Sequence, residues 1–171
     1  MSHPLAFMRL PYAVLIMLDS RMYHYWMQPV HYLVRTVHMI SMAGFFGIDV
    51  VFDAALFRHG GQQALAAVSR LIVPWIHTLF AVAMVTGVAL FFYDPVHIGS
   101  RGYLTPKLLL IAMAVGLAAF SHRKIYLPAL GGRPAGTTQA RLVAGTSLLL
   151  WTGVIIMSCL NSEGVPKVFL R

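Results

Sequence analysis

Three histidines lie inside stretches of sequence that are otherwise apolar, and they are the residues best suited to carry chemistry. They are His38, His77 and His122. Imidazole nitrogen coordinates haem iron, copper and zinc, and a polar ring among apolar residues is costly unless its nitrogens find a partner. We therefore expect each of the three to bind either a cofactor or another polar group of the protein.

A polar stripe surrounds the first of these histidines. Beginning at residue 31, the members of the stripe are separated by 4, 3, 4, 3, 4 and 4 residues. This spacing puts them on one face of a helix, whereas the opposite face is apolar. Ionisable groups inside a membrane normally face other helices, so the stripe predicts a helix that turns this face into a bundle. The stripe comprises His31, Arg35, His38, Met42, Phe45, Asp49 and Asp53.

The composition indicates an integral membrane protein. Of the 171 residues, 58% are hydrophobic and 11% are charged, and the mean hydropathy is +0.73. Soluble domains carry about 25% charged residues, so a soluble globular enzyme and a disordered chain are both excluded. Crossing a bilayer takes roughly 20 helical residues. Four stretches are long enough, at about 32–57, 71–93, 104–121 and 142–160.

These stretches predict an all-α fold, a four-helix up-down bundle in the membrane with an N-terminal interfacial helix. The apolar segment 5–18 is too short to span and is interrupted by Arg9 and Pro11, so we expect it to lie in the interface. The predicted organisation is an N-terminal interfacial segment (1–30), a transmembrane domain (31–161) and a C-terminal tail (162–171).

Charge predicts the orientation. The chain has 13 Lys and Arg against 5 Asp and Glu, mostly between the apolar stretches. Anionic lipid headgroups account for such a distribution, so we expect the lipid bilayer as a partner and no nucleic acid. The loops 58–70 and 122–141 contain basic residues and no acid, which predicts that they are cytoplasmic. Cys159 is the single cysteine, which excludes an intrachain disulfide.

In the first interpretation of the histidines, the chain holds a haem b. His77 and His122 enter the membrane from the same side, on the second and third spans, and would be the two axial ligands. Arg70 and Arg123 lie at that end of the spans and could neutralise the haem propionates.

A second haem is also conceivable in this interpretation. His38 lies nearer the other side of the membrane, and Arg35 is available to its propionates. The partner ligand for His38 stays open, with His31, His24, His97 and Met157 as candidates. A quinone could border Arg35.

Two other interpretations compete with the haem. In one, the histidines and the stripe carboxylates bind copper or another transition metal, helped by methionines inside the spans. In the other, the polar groups only hold helices together. His77 would then bond Asp49, and Asp53 would pair with Arg58 or Arg70, each contact contributing roughly 0.6–2 kcal/mol.

Three motifs carry a resemblance to a known kind of protein. They are Tyr32-Leu33-Val34-Arg35-Thr36-Val37-His38 with Gly44, Gly47 and Asp53; Pro74-Trp75 with His77, Phe80 and Thr86-Gly87; and Tyr103 and Lys107 with Phe120-Ser121-His122-Arg123. Over about residues 30–160 the chain resembles an uncharacterised family of four-helix bacterial membrane proteins. This family is distantly similar to the membrane domain of the copper-resistance protein CopD and to four-helix transmembrane cytochromes b.

The resemblance implies haem b or copper at His38, His77 and His122. It is incomplete at two positions, because Arg35 stands where the family has an acid or small polar residue, and Asp53 lacks the arginine of an Asp-x-Arg pattern. The expected function is an electron-transfer subunit of the bacterial inner membrane, linked to the quinone pool and to another redox subunit. The alternatives are a non-catalytic accessory subunit of a larger complex and a copper-handling protein. No motif for acid–base or nucleophilic catalysis is present.

Overall fold

The computed structural model describes residues 9–59, 63–131 and 136–163. Every regular element in these ranges is a helix. In chain order the helices are α1 (Tyr12–Leu18), α2 (Arg21–Met27), α3 (His31–His59), α4 (Gln63–Tyr93), α5 (Pro95–Gly99), α6 (Leu104–Ser121), a π-helical turn (His122–Tyr126), α7 (Leu127–Leu130) and α8 (Thr137–Glu163).

The four spans predicted by hydropathy are present as long apolar helices. The membrane-crossing candidates are His31–Arg58, Ser69–Tyr93, Leu104–Tyr126 and Thr137–Asn161. The third candidate extends beyond the predicted end at residue 121, because the π-helical turn continues α6 without a break. The predicted C-terminal tail begins inside α8, and residues 164–171 lie outside the described residues.

The N-terminal segment forms two short helices where the sequence predicted one. Pro11 precedes α1, and a non-helical residue, Asp19, ends it. The Ser20 hydroxyl then accepts a hydrogen bond from the Tyr23 amide at 3.4 Å and caps α2. These two residues interrupt the backbone hydrogen bonding, so the segment bends between two apolar helical turns.

These short helices pack on the ends of the spans. Leu15 of α1 is fully buried, and its side chain lies where a Cβ on Gly99 of α5 would sit. The Leu10 amide donates to the Gly99 carbonyl at 3.3 Å. The Tyr23 hydroxyl of α2 donates to the Ala89 carbonyl of α4 at 3.0 Å. The described part of the predicted N-terminal segment, from residue 9 onward, therefore contacts α4 and α5 directly.

Helix α3 is the central element. It packs against α4 and against α8, and α8 packs against α6, whereas the backbones of α4 and α6 approach each other less closely. Along α3 and α4 the contacts run in opposite order, since Phe45 meets Phe80 and the earlier His38 meets the later Thr86. Along α3 and α8 they also run in opposite order, because Phe45 meets Trp151 and the later Phe57 meets the earlier Arg141.

Two apolar clusters hold the bundle together. One lies at the end of the bundle where α3 ends and α8 begins, and it includes Leu56, Ile125, Val143 and Ala144. The other lies further along the bundle and consists of Phe45, Ala114, Trp151 and Val154. Because lipid is as apolar as these side chains, their close packing rather than water exclusion stabilises the contacts between spans.

Candidate functional site

The structure brings His77 and His122 together. Their ring centroids are 5.9 Å apart with an interplanar angle of 50°. His77 lies on α4 and His122 on the first residue of the π-helical turn, where its ring also contacts Tyr126 at 4.9 Å. His77 is exposed at the outer surface of the bundle and His122 is half-buried. The pair therefore connects α4 with the π-helical turn that continues α6, between two spans whose backbones are not closely packed.

The separation of the two rings fits coordination of one metal atom. A metal–nitrogen bond of about 2.0–2.1 Å, plus about 1 Å from nitrogen to ring centre, places the centroids of two imidazoles about 5–6.5 Å apart. The π-helical turn is relevant because such turns are rare in proteins, and those that exist are often found at functional sites. This arrangement can present two imidazole nitrogens to a single iron or other transition metal.

The arginines expected to neutralise haem propionates lie at the surface. Arg70, Arg123 and Arg35 are all exposed. Arg70 precedes His77 by two helical turns on α4, and Arg123 follows His122 directly. Both can reach the aqueous boundary at that end, as long basic side chains do at helix ends. Arg35 lies on α3, one turn before His38.

His38 occupies a separate position in the bundle. Its Nδ1 lies 3.0 Å from the Ala83 carbonyl and 3.0 Å from the Thr86 hydroxyl, both on α4. A carbonyl can only accept, so in the neutral ring Nδ1 carries the proton and Nε2 has the free lone pair. This is how a histidine is oriented when its other nitrogen binds a metal, and equally how one helix is fastened to another.

The residues around His38 are not the predicted partners. His31 bonds the Gln28 carbonyl at 2.7 Å and stacks on Tyr93, and His97 accepts from Arg101 at 2.9 Å. His24 bonds Asp19 at 2.9 Å. Lys107 of α6 lies in the neighbourhood of His38. Gly87 lies against the ring, where an added Cβ would be 3.0 Å from Cε1.

The acids of the stripe have a different partner from the one expected. Asp49 and Asp53 are 7% and 3% exposed. The side chain of Ser147 on α8 lies close to both carboxyls. Neither of the expected pairs, His77 with Asp49 or Asp53 with an arginine, forms. The physical reason is that α8, not the outer surface of α4, covers this face of α3.

Sequence reasoning missed three residues that the fold brings to these positions. Ser147 gave no sign of an interhelical role, because a serine in a helix can bond its own backbone, as Ser158 does with the Val154 carbonyl at 2.8 Å. Thr86 and Lys107 stand in the motifs of the resemblance, but those motifs gave neither residue a place beside His38. Among the described residues, no three His, Cys, Asp or Glu side chains are grouped to hold a metal ion.

Comparisons with known proteins give no further information. No protein-family model and no curated protein matches the sequence, and no solved structure matches the fold. The resemblance to CopD membrane domains and transmembrane cytochromes b stays a prediction.

Proposed function

We propose that this protein is a membrane-embedded electron-transfer subunit that binds haem b between His77 and His122. The observation that carries the proposal is the approach of these two rings, from different spans, to 5.9 Å. A haem placed there would supply one-electron redox chemistry, and its potential would depend on ligand identity and burial. His77 is exposed, so the outer edge of the haem would face lipid or a neighbouring subunit.

The pair supports haem better than a bare copper or zinc ion. The porphyrin already gives iron four nitrogens, so the protein needs to add only two. A bare metal ion ordinarily takes three or four protein ligands. Two histidines without a third grouped ligand therefore match the needs of haem iron.

The fold supports a place for this subunit in a membrane complex. The contacts between spans, which run in opposite order, support the up-down order of the four helices. We infer that the loops 58–70 and 122–141 face the cytoplasm of a bacterial cell, with the inner membrane as the site of function. The chain has little mass outside its spans, so an electron donor must be another redox subunit, and a quinone is the expected mobile acceptor.

His38 supports a separate, structural role for part of the stripe. Its bonds to Ala83 and Thr86 join α3 and α4 about two turns along α4 from His77. With Nε2 left free, it stays a candidate for a second haem. We place the first haem at His77 and His122 because there two histidines meet.

The test is a reduced-minus-oxidised absorption spectrum of the full chain, purified in detergent after expression with adequate haem supply. We expect the α-band of a low-spin haem b and a ratio of one haem per chain for the first site. His77→Ala and His122→Ala should each abolish this band, because each leaves iron with a single protein ligand.

The matched control is His97→Ala, a substitution of a histidine outside the pair that should keep the band. Comparable elution and thermal unfolding of the variants would show that they fold. A folded chain with no haem absorbance contradicts the proposal and favours the accessory-subunit reading. Stoichiometric copper in the same preparation would favour the copper reading.

A further inference from the structure

A second polar site lies on the face of α3 that α8 covers. Asp49 and Asp53 are one helical turn apart, and both are more than nine-tenths buried. In each residue the Oδ2 atom is inaccessible and has no hydrogen-bond partner. Ser147 lies close to both carboxyls, but its hydroxyl has one hydrogen and could donate to only one carboxylate at a time. Two buried oxygens are therefore left without a donor.

Among the described residues, no cation forms an ion pair with either acid. The one ion pair among the described residues joins Asp19 and His24, far from this face. On the elements packed against α3, Arg70 and His77 of α4 are exposed, and Arg141 of α8 donates to the Phe57 carbonyl at 3.2 Å. On α3 itself, Arg58 is exposed and His38 bonds to α4.

Two unpaired carboxylates cannot both remain charged in this position without a large cost. Isolated charges inside a bilayer are expensive, and two like charges one turn apart repel each other in addition. The site must therefore take up a positive ligand. The two carboxyls and the hydroxyl offer five side-chain oxygens, fewer than the six or more that Mg²⁺ or Ca²⁺ takes. A proton needs only one donor oxygen and one acceptor oxygen.

We propose that Asp49, Asp53 and Ser147 form a proton-binding site in which the two carboxyls share one proton. A hydronium ion from the adjoining water gives up a proton, so that one of its O–H bonds breaks and water is left, and a new O–H bond forms on one carboxyl. This O–H donates to the other carboxylate, while Ser147 donates to a remaining oxygen. No electron is transferred and no other bond changes. This site is independent of haem binding at His77 and His122, so either proposal can fail without the other.

The direct test is infrared spectroscopy of the full chain in lipid nanodiscs at neutral pH. A protonated carboxyl gives a C=O stretch that is separate from the carboxylate bands and shifts in D₂O. We expect this band in the wild-type protein and its loss in both Asp49→Asn and Asp53→Asn. Asp19→Asn, which alters an exposed acid, should leave it unchanged. Absence of the band in the wild type, or its persistence in both variants, overturns the proposal.

A second measurement does not depend on band assignment. If folding favours the protonated pair, its contribution to stability is complete below the pKa of an unfolded aspartate, about 3.9, and is lost progressively as the pH rises from there through the titration of the folded site. The Tm of the wild type should then fall as the pH rises through this window, and Asp53→Asn should flatten this dependence. An Asp53→Asn profile parallel to that of the wild type contradicts the proposal. Loss of the infrared band on addition of NaCl, at constant pH, would overturn it in favour of a sodium ion.

Discussion

The position of a polar side chain in this bundle is set by the group that it contacts on the facing helix. His38 is bonded on one side by the Ala83 carbonyl and the Thr86 hydroxyl, and Gly87 leaves space for its ring. A side chain at position 87 would contact the His38 imidazole ring. Gly87 therefore helps to determine where the His38 ring lies, although it makes no polar contact with it.

Gly87→Ala tests this close packing. The added methyl would lie 3.0 Å from the His38 Cε1, so the ring or α4 must shift. We expect a loss of about 1–3 kcal/mol in the free energy of unfolding, as for other overpacked sites. Thermal or denaturant unfolding in detergent measures it.

Gly116→Ala is the matched control, because nothing lies within 4 Å of an added Cβ there. It should leave stability unchanged or raise it by up to about 1 kcal/mol, since alanine is the better helix former. Equal effects of the two substitutions would show that the His38 ring is not confined by α4.

The sequence identified the residue types of the site better than their partners. His38, His77, His122 and the two stripe acids stand out because ionisable groups are rare in apolar spans. The partners did not stand out, because a serine or threonine in a helix can bond its own backbone. Only the packing of α8 on α3 brings Ser147 to the acids, and spacing within one helix carries no information about that packing.

At the scale of elements, the π-helical turn extends the third span and places its last buried residue. Ile125 is 1% exposed and packs with Leu56 and Val143. If the helix ended at Ser121, the Ile125 side chain would not lie in this apolar cluster. The turn thus connects the histidine pair to the apolar cluster that joins α3, α8 and the end of α6.

Ile125→Ala should weaken that connection. Removing a buried isoleucine leaves a cavity, and losses of about 2–5 kcal/mol are typical of such substitutions in well-packed cores. The lowered Tm should be accompanied by loss of any haem α-band at lower temperature than in the wild type. Leu109→Ala, at a side chain that is 62% exposed on α6, should have a smaller effect. A greater loss for Leu109→Ala would contradict the packing described here.

The whole molecule is built for contact with lipid. In the most apolar window of each span, only 28% of the residues of α3 and 6% of those of α4 are buried inside the structure. Exposed apolar side chains must therefore be covered by lipid or by other subunits. Composition and hydropathy were enough to predict this and the four spans. The polar stripe predicted that one face of the first span turns towards other helices, but the central position of α3 was not predicted.

The relation between spans could not be predicted in the same way. Hydrophobicity does not distinguish a lipid-facing side chain from one packed on another helix, because both surroundings are apolar. The sequence therefore predicted a haem between the second and third spans without indicating that α4 and α6 pack less closely than the other neighbouring helices. It also placed the break of the N-terminal segment only through Pro11, and not at Asp19 and Ser20.

Orientation in the membrane can be tested with single cysteines in a Cys159→Ser background. We expect Gln28→Cys, at an exposed position near the N-terminal helices, to react with a membrane-impermeant maleimide in intact spheroplasts. Gly136→Cys, in the loop before α8, should react only after the membrane is opened. The reverse pattern would invert the predicted topology.

The packing of α1 against α5 also has a consequence for biosynthesis. Leu15 docks beside Gly99, and Gly99 follows the second span in the chain. A ribosome therefore makes α1 well before it makes the residues that receive it, and the loop to be closed encloses two complete spans. Until α5 has been synthesised, only the membrane surface is available to cover the apolar side of α1. The docking of α1 against α5 therefore indicates that the hairpin formed by α3 and α4 has been inserted.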